Sequence, residues 1–179
     1  MRPSFTPACF REVTVFPEAS GAAPLRVLVA GAAGRQLVPR LEAAGHEVVV
    51  LRYGILYGPG TRYAPGGAVV AALAGDPGAR FPGSTAADDS VGSFVHVGDA
   101  AEAAVRALAW PPGAYDAVDD EPAPAHVWLP VLAEALGVPA PGRTAGRAPW
   151  ARGAVNVRAR ALGRAPARPS WRTGFADRG

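Results

Sequence analysis

Gly31 and Gly34 stand between an apolar run and a helix-forming stretch. Lacking side chains, they let a backbone close on a phosphate, whose charge the free N–H groups and positive dipole end of a following helix can hold. With Ala32 between them and Arg35 directly after, they make a candidate phosphate cradle. Arg52, just beyond the next apolar run, reads foremost as a solvated or ion-paired strand-end arginine. Ser93, His96 and Asp99 are residue types that move protons, but they lie along one strand and its end, and no Gly-x-Ser-x-Gly elbow occurs. His96 also fits a strand histidine with a local hydrogen bond, and Asp99 a helix N-cap. Asp119-Asp120-Glu121 reads as a turn, because no His or Cys neighbours it. His46, His96 and His126 lack metal-ligand spacing, so no metal is expected. No residue is assigned as catalytic.

The elements that would position these groups follow from pattern. Leu25 to Ala30 contains a buried strand over 26–30, then the glycine turn. A helix is expected from about Gln36 to Ala44, with Pro39 in its first turn, where its missing N–H costs little, and Gly45 as its stop. One strand spans 47–57, parallel to and beside 26–30, and Gly58-Pro59-Gly60 breaks it. A helix over 67–74 leads into a loop at 75–92. A strand at 93–97 precedes a helix that opens at Asp99 with capping-box spacing to Glu102 and runs to about Trp110. Pro111-Pro112-Gly113 ends it. A strand over 114–118, a turn over 119–122, and a helix from about His126 to Leu136 with Gly137 as its stop come next. One short helix at 154–162 lies in the Pro-, Gly- and Arg-rich remainder. The expected fold is α/β: a truncated Rossmann-like parallel sheet with a small C-terminal α/β lobe. Residues 1–24 form an extension, with 11–16 alternating enough for a short strand. Residues 25–179 form a single domain, its nucleotide-binding part at 25–61 and its C-terminal lobe at 62–179.

Composition narrows the class. The 179 residues are 49% hydrophobic, which supplies a core and argues against disorder. No lysine occurs, so all 18 basic residues are arginine. With many Ala, Gly and Pro, this reads as a GC-rich coding bias, which weakens the arginines as a nucleic-acid signal. The stretch 143–179 does carry nine arginines against Asp177 alone, enough for non-specific phosphate contact, so an arginine-rich nucleic-acid binder is a minor alternative. The lone Cys9 excludes an intramolecular disulfide and fits a reducing compartment. No apolar run reaches membrane-spanning length, and the first 24 residues lack a signal-peptide pattern. A cytoplasmic protein without membrane contact is expected.

Several ordered motifs resemble the NAD-dependent epimerase/dehydratase family, the extended and atypical short-chain dehydrogenases. They are Leu51-Arg52-Tyr53-Gly54 with Tyr57-Gly58-Pro59-Gly60-Thr61, Ser93-Phe94-Val95-His96-Val97-Gly98-Asp99, Tyr115-Asp116-Ala117-Val118-Asp119-Asp120-Glu121-Pro122, Trp128-Leu129-Pro130, and Pro169-Ser170-Trp171-Arg172-Thr173-Gly174-Phe175. With 25–50 they span most of 25–176. The resemblance implies an NAD(P)-dependent oxidoreductase ancestry and a Rossmann fold. NAD or NADP would be held at Gly31, Ala32, Gly34, Arg35 and Arg52, and the substrate side would lie at Tyr57, His96 and Asp99. Departures are specific. The glycine loop is about three residues short. The central segment, on the order of 100 residues of strand–helix units, is absent between 50 and 51. The family's Tyr-x-x-x-Lys pair cannot exist without lysine, and arginine does not replace it. Gly92-Ser93 stands where sugar-nucleotide enzymes have Arg-Asp, and Gly98 where they have a first Asp, so a diphosphate sugar fits poorly.

These readings imply an epimerase/dehydratase-like protein with a small-molecule substrate, weak or lost cofactor binding and reduced or lost catalysis. The alternative is a non-catalytic module that docks on an intact relative or pairs as a homodimer.

Overall fold

The computed structural model describes residues 24–30, 34–81 and 84–177. Gly31, Ala32 and the pattern at 11–16 lie outside them. The strand β1 (Arg26–Ala30) leads to α1 (Gly34–Ala43) and β2 (Glu47–Tyr53). Their order and handed crossover make β1 and β2 parallel neighbours, with Val29 opposite Val50. β6 (Gly113–Ala117) pairs parallel on the other side of β2, giving the order β1-β2-β6. The β-branched run Val48-Val49-Val50 suits a strand covered on both faces. α1 begins earlier than expected, so Pro39 sits inside the helix and leaves one carbonyl of the preceding turn without its helical donor.

The expected single strand over 47–57 divides at Gly54. Gly54 N–H still donates to Ala117 O (3.3 Å), whereas Ile55 N–H donates to Ser93 O (2.7 Å). The chain thus exchanges β6 for a new neighbour within one residue. β3 (Ile55–Tyr57) pairs parallel with β5 (Phe94–His96) in a second, two-stranded sheet. Glycine is required at the seam: a Cβ at residue 54 would lie 2.6 Å from Ser93 O and 2.9 Å from Val118 Cγ1. Between β3 and β5 lie α2 (Ala68–Leu73) and the short β4 (Val91–Gly92), which pairs antiparallel with β7 (Ala123–Pro124).

α3 (Val97–Ala107) starts two residues before Asp99. His96, not Asp99, is its N-cap, with the ring Nδ1 accepting the Gly98 N–H at 3.1 Å. Asp99 falls inside the first turn, and Glu102 pairs with Arg106 one turn on. α4 (Ala125–Leu136) buries Trp128, Leu129, Leu132 and Ala133 and ends at Gly137, whose φ of +67° is left-handed. α5 (Val157–Ala161) and α6 (Trp171–Gly174) belong to a strap that returns over the body. α6 was not expected from the sequence.

Two apolar clusters result. Val49, Leu51, Ala103, Ala107, Trp110 and Tyr115 join the three-stranded sheet to α3. Tyr57, Phe94, Trp128, Leu129, Trp171 and Phe175 join the β3–β5 pair to α4 and the strap. The rings of the second cluster meet largely edge to face, as with Phe94 and Phe175 at 5.3 Å. Gly54→Ala should lower unfolding free energy by about 1–3 kcal/mol, the usual range for forced overpacking. Gly142→Ala, where a Cβ meets nothing within 4 Å, should be near neutral. Urea denaturation of both variants checks this, and equal midpoints would contradict the seam.

Candidate functional site

The substrate-side residues read from the sequence come together, but beneath the strap. Tyr57, His96 and Asp99 are 1%, 5% and 4% exposed. Asp99 Oδ1 accepts the Ala167 N–H at 2.7 Å and Oδ2 the Arg168 N–H at 3.0 Å, so this carboxylate binds strap backbone. The His96 ring stands edge-on to Tyr57 with centroids 5.3 Å apart. Because Nδ1 accepts a backbone N–H, the ring is held as the Nε2–H tautomer. Burial, then the nearby Arg168 cation, lowers the His96 pKa and favours this neutral form. Tyr57 Oη lies buried against Gly174, where a Cβ would approach to 2.1 Å, and has no hydrogen-bond partner among the described residues. Burial, then the charges of Asp119 and Asp99, drives its pKa upward.

Asp119 is the second buried carboxylate, 2% exposed. It accepts the Trp171 N–H at the head of α6 (3.1 Å) and the Glu121 N–H (3.3 Å). Burial raises its pKa to about 7 against those two bonds. Around it Asn156 Nδ2 donates to Val118 O and Asp119 O, Arg164 Nη1 donates to Val118 O, and Arg160 pairs with Asp120. Loop 118–121 therefore fastens the strap along its length.

An open cleft of about 420 Å³ lies where β2 ends and β3 begins. Crevices outside the carboxyl ends of parallel strands are the usual ligand positions in open α/β sheets. Tyr53, Gly54 and Ile55 form one wall, Val91, Gly92 and Ser93 another, and residues 150–154 the rim. Ser93 Oγ accepts the Ala154 N–H (2.7 Å) and donates to Ala154 O (3.0 Å), which fixes the rim to the floor. Tyr53 Oη donates to Ala100 O (3.1 Å), and burial raises its pKa. Trp150 and Arg152 at this rim were missed by sequence reasoning. Their only signal is an aromatic residue in a Pro-, Gly- and Arg-rich stretch with no periodicity to bury it.

Arg52 is exposed and bonds Asp116, its cross-strand partner on β6, at 2.7 Å. The ion-paired reading of Arg52 thus has its partner in the structure. Gly34 and Arg35 open α1, and Gly31 and Ala32 fall outside the described residues. No group of His, Cys, Asp and Glu among the described residues could hold a metal.

No family model matches the chain. Among curated proteins, a 3-diazoavenalumate denitrifying reductase from a Streptomyces species is 47% identical over 157 residues, covering 78% of this chain and 49% of the reductase. Among solved structures, the UDP-glucose 4-epimerase of Thermus thermophilus in complex with NAD superposes with TM-score 0.53 at 27% identity, over 79% of this chain and 48% of the epimerase. Bacillus anthracis dTDP-glucose 4,6-dehydratase in complex with NAD, at 16% identity and TM-score 0.56, shares the fold over 80% of this chain and 47% of its own. These structural neighbours are NAD-dependent epimerase/dehydratase proteins, and the chain is consistent with a truncated relative of them. This epimerase/dehydratase relative spans about half the length of the proteins it matches. No helix among its described residues is long and apolar enough to cross a membrane.

The raised pKa of Asp119 makes strap docking pH-dependent. The folded chain holds this proton up to about pH 7, whereas an unfolded Asp releases it near the ordinary value of 3.8. The contribution is therefore full below the unfolded pKa and is lost as pH rises through the folded one. Denaturation free energy should fall by up to about 1.4 kcal/mol per pH unit towards neutrality and level off above. Asp119→Asn should flatten that slope, and a slope unchanged in the variant would contradict the assignment.

Proposed function

We propose that this chain is an NAD(P)-dependent oxidoreductase by descent that keeps small-molecule recognition at the β2–β3 cleft while hydride transfer is reduced or lost. One observation carries the reading: the cleft is formed, yet the chain has no lysine and none of its tyrosines is set up as an acid–base group. A tyrosine relay at neutral pH needs a lowered pKa. Burial instead raises the pKa of Tyr53, Tyr57 and Tyr63, and Tyr115 Oη donates to Pro111 O at 2.9 Å. Gly31, Ala32, Gly34, Arg35 and Arg52 are the residues proposed to meet a dinucleotide. The Arg52–Asp116 pair supports a weakened ribose contact. Tyr57 lines a separate pocket with Gly58, Tyr63, Gly174 and Phe175, His96 caps α3, and Asp99 holds the strap, so a substrate-side role for the three lies apart from the β2–β3 cleft. The Streptomyces relative, whose name gives it reductase activity on 3-diazoavenalumate, supports a small substrate rather than a sugar nucleotide. The single cysteine favours the cytoplasm.

A second reading has its own observation. Among the described residues β1 forms an edge of the sheet and carries Val27-Leu28-Val29 with no proline, and Val105 and Leu108 on or beside α3 are 70% and 58% exposed. Unprotected edges pair with other chains, which favours a module that docks on an intact relative or on a second copy.

Titration with NAD and NADP should give dissociation constants no better than about 0.1–1 mM, and turnover of sugar-nucleotide or alcohol substrates should be undetectable. Micromolar affinity for either cofactor, or turnover abolished by Tyr53→Phe, would overturn the first reading. Light scattering separates the second, which requires association at micromolar concentration.

A further inference from the structure

The β2–β3 cleft has a chemical bias of its own. Its volume is about 420 Å³, the size range of small-molecule clefts, and it is open to solvent. Its rim carries Trp150, which is 83% exposed, whereas Trp110, Trp128 and Trp171 are at most 6% exposed. An indole left in water presents a large flat apolar face, the surface on which a planar ring stacks. Beside it Arg152 is the one charged residue lining the cleft among the described residues. Its Nε donates only to Pro149 O, at 3.5 Å, and among the described residues it makes no ion pair. A guanidinium without an acid partner favours a carboxylate, which it can hold through two parallel N–H bonds.

The floor restricts the shape. Gly54 and Gly153 are closed to any side chain, since a Cβ would lie 2.6 Å from Ser93 O in the first case and 2.8 Å from Val91 Cγ1 in the second. Gly54, Gly92 and Gly153 add no side chain to the cleft lining. The hydroxyls that could recognise a sugar are engaged elsewhere, Tyr53 on Ala100 O and Ser93 on the Ala154 backbone. A polyol would bury hydroxyls without partners, which costs free energy for each one. A diphosphate would meet one cation where it needs several.

We propose that this cleft binds a planar aromatic monocarboxylate, its ring stacked on Trp150 and its carboxylate paired with Arg152. The proposal rests on the reading of this cleft as the retained substrate opening and adds the class of ligand.

Ligand-observed NMR titration of the whole chain with cinnamate, cinnamamide and UDP tests it. Cinnamate should bind with a dissociation constant of about 0.1–1 mM, and should shield the exposed indole from acrylamide quenching. Cinnamamide, which keeps the ring and loses the charge, should bind at least about tenfold more weakly, as should UDP. Trp150→Ala and Arg152→Gln should each weaken cinnamate binding about tenfold or more with unchanged urea midpoints, since both side chains are exposed. Equal binding of cinnamamide or tighter binding of UDP would overturn the proposal, as would cinnamate affinity that survives Trp150→Ala. Light scattering that shows a Trp150-dependent dimer without ligand would replace it with a protein interface. Micromolar NAD binding alongside cinnamate binding would sink the functional reading and leave this one standing. The reverse result, weak NAD binding and no cinnamate binding, would sink this one alone.

Discussion

Two carboxylates buried in an apolar setting must find donors, and both find them on the same returning strap. Asp99 takes the backbone N–H groups of Ala167 and Arg168, and Asp119 takes that of Trp171. An unpaired buried carboxylate is costly enough that such bonds decide the path of the chain. Once the strap is held there, Trp171 and Phe175 fall onto Phe94 and Tyr57 and close the second apolar cluster. Arg164, itself 1% exposed and bonded to Val118 O, places a cation among Asp99, Asp119 and Asp120, which lessens their mutual repulsion. Polar anchoring and apolar closure thus act on one segment.

That closure also shapes the β2–β3 cleft. The same loop that carries Asp119 receives Asn156, and residues 150–154 run ahead of Asn156 along the cleft rim. Fixing the strap therefore fixes Trp150 and Arg152 relative to Gly54. The seam at Gly54 completes the arrangement from the other side, because it lets β2 and β3 belong to different sheets and leaves a crevice between them. The form of the lobe around β3 and β5 is thus set by contacts within the described residues.

Much of the local structure was legible. Gly45 and Gly137 stop α1 and α4 as read, and β1, β6, α2 and α5 fall where pattern put them, because each depends on nearby residues. The family motifs also pointed to the strap, since Ser170-Trp171-Arg172-Thr173-Gly174-Phe175 packs on the lobe. What could not be read depended on distant atoms. The break in 47–57 is invisible in a continuous apolar run, because the group that requires glycine at 54 is Ser93 O, 39 positions away. Asp99 had the spacing of a cap, but its carboxylate answers to Ala167 and Arg168, and the capping role passes to His96. The local hydrogen bond read for His96 is present for that reason. Arg52 could be placed at a strand end, yet its partner Asp116 follows only from the β2–β6 register. Trp150 and Arg152 had no pattern at all, since their position is set by Ser93 bonding Ala154.

Buried acids hold the strap as part of the folded body rather than as a loop laid over it. Amide hydrogen exchange measures this directly. The Ala167, Arg168 and Trp171 amides should exchange as slowly as those of Ile55 and Asp119, whose N–H groups bond Ser93 O and Phe94 O inside the β3–β5 region. Exchange of the three strap amides at the rate of the exposed segment 142–146, with Ile55 and Asp119 still protected, would contradict it.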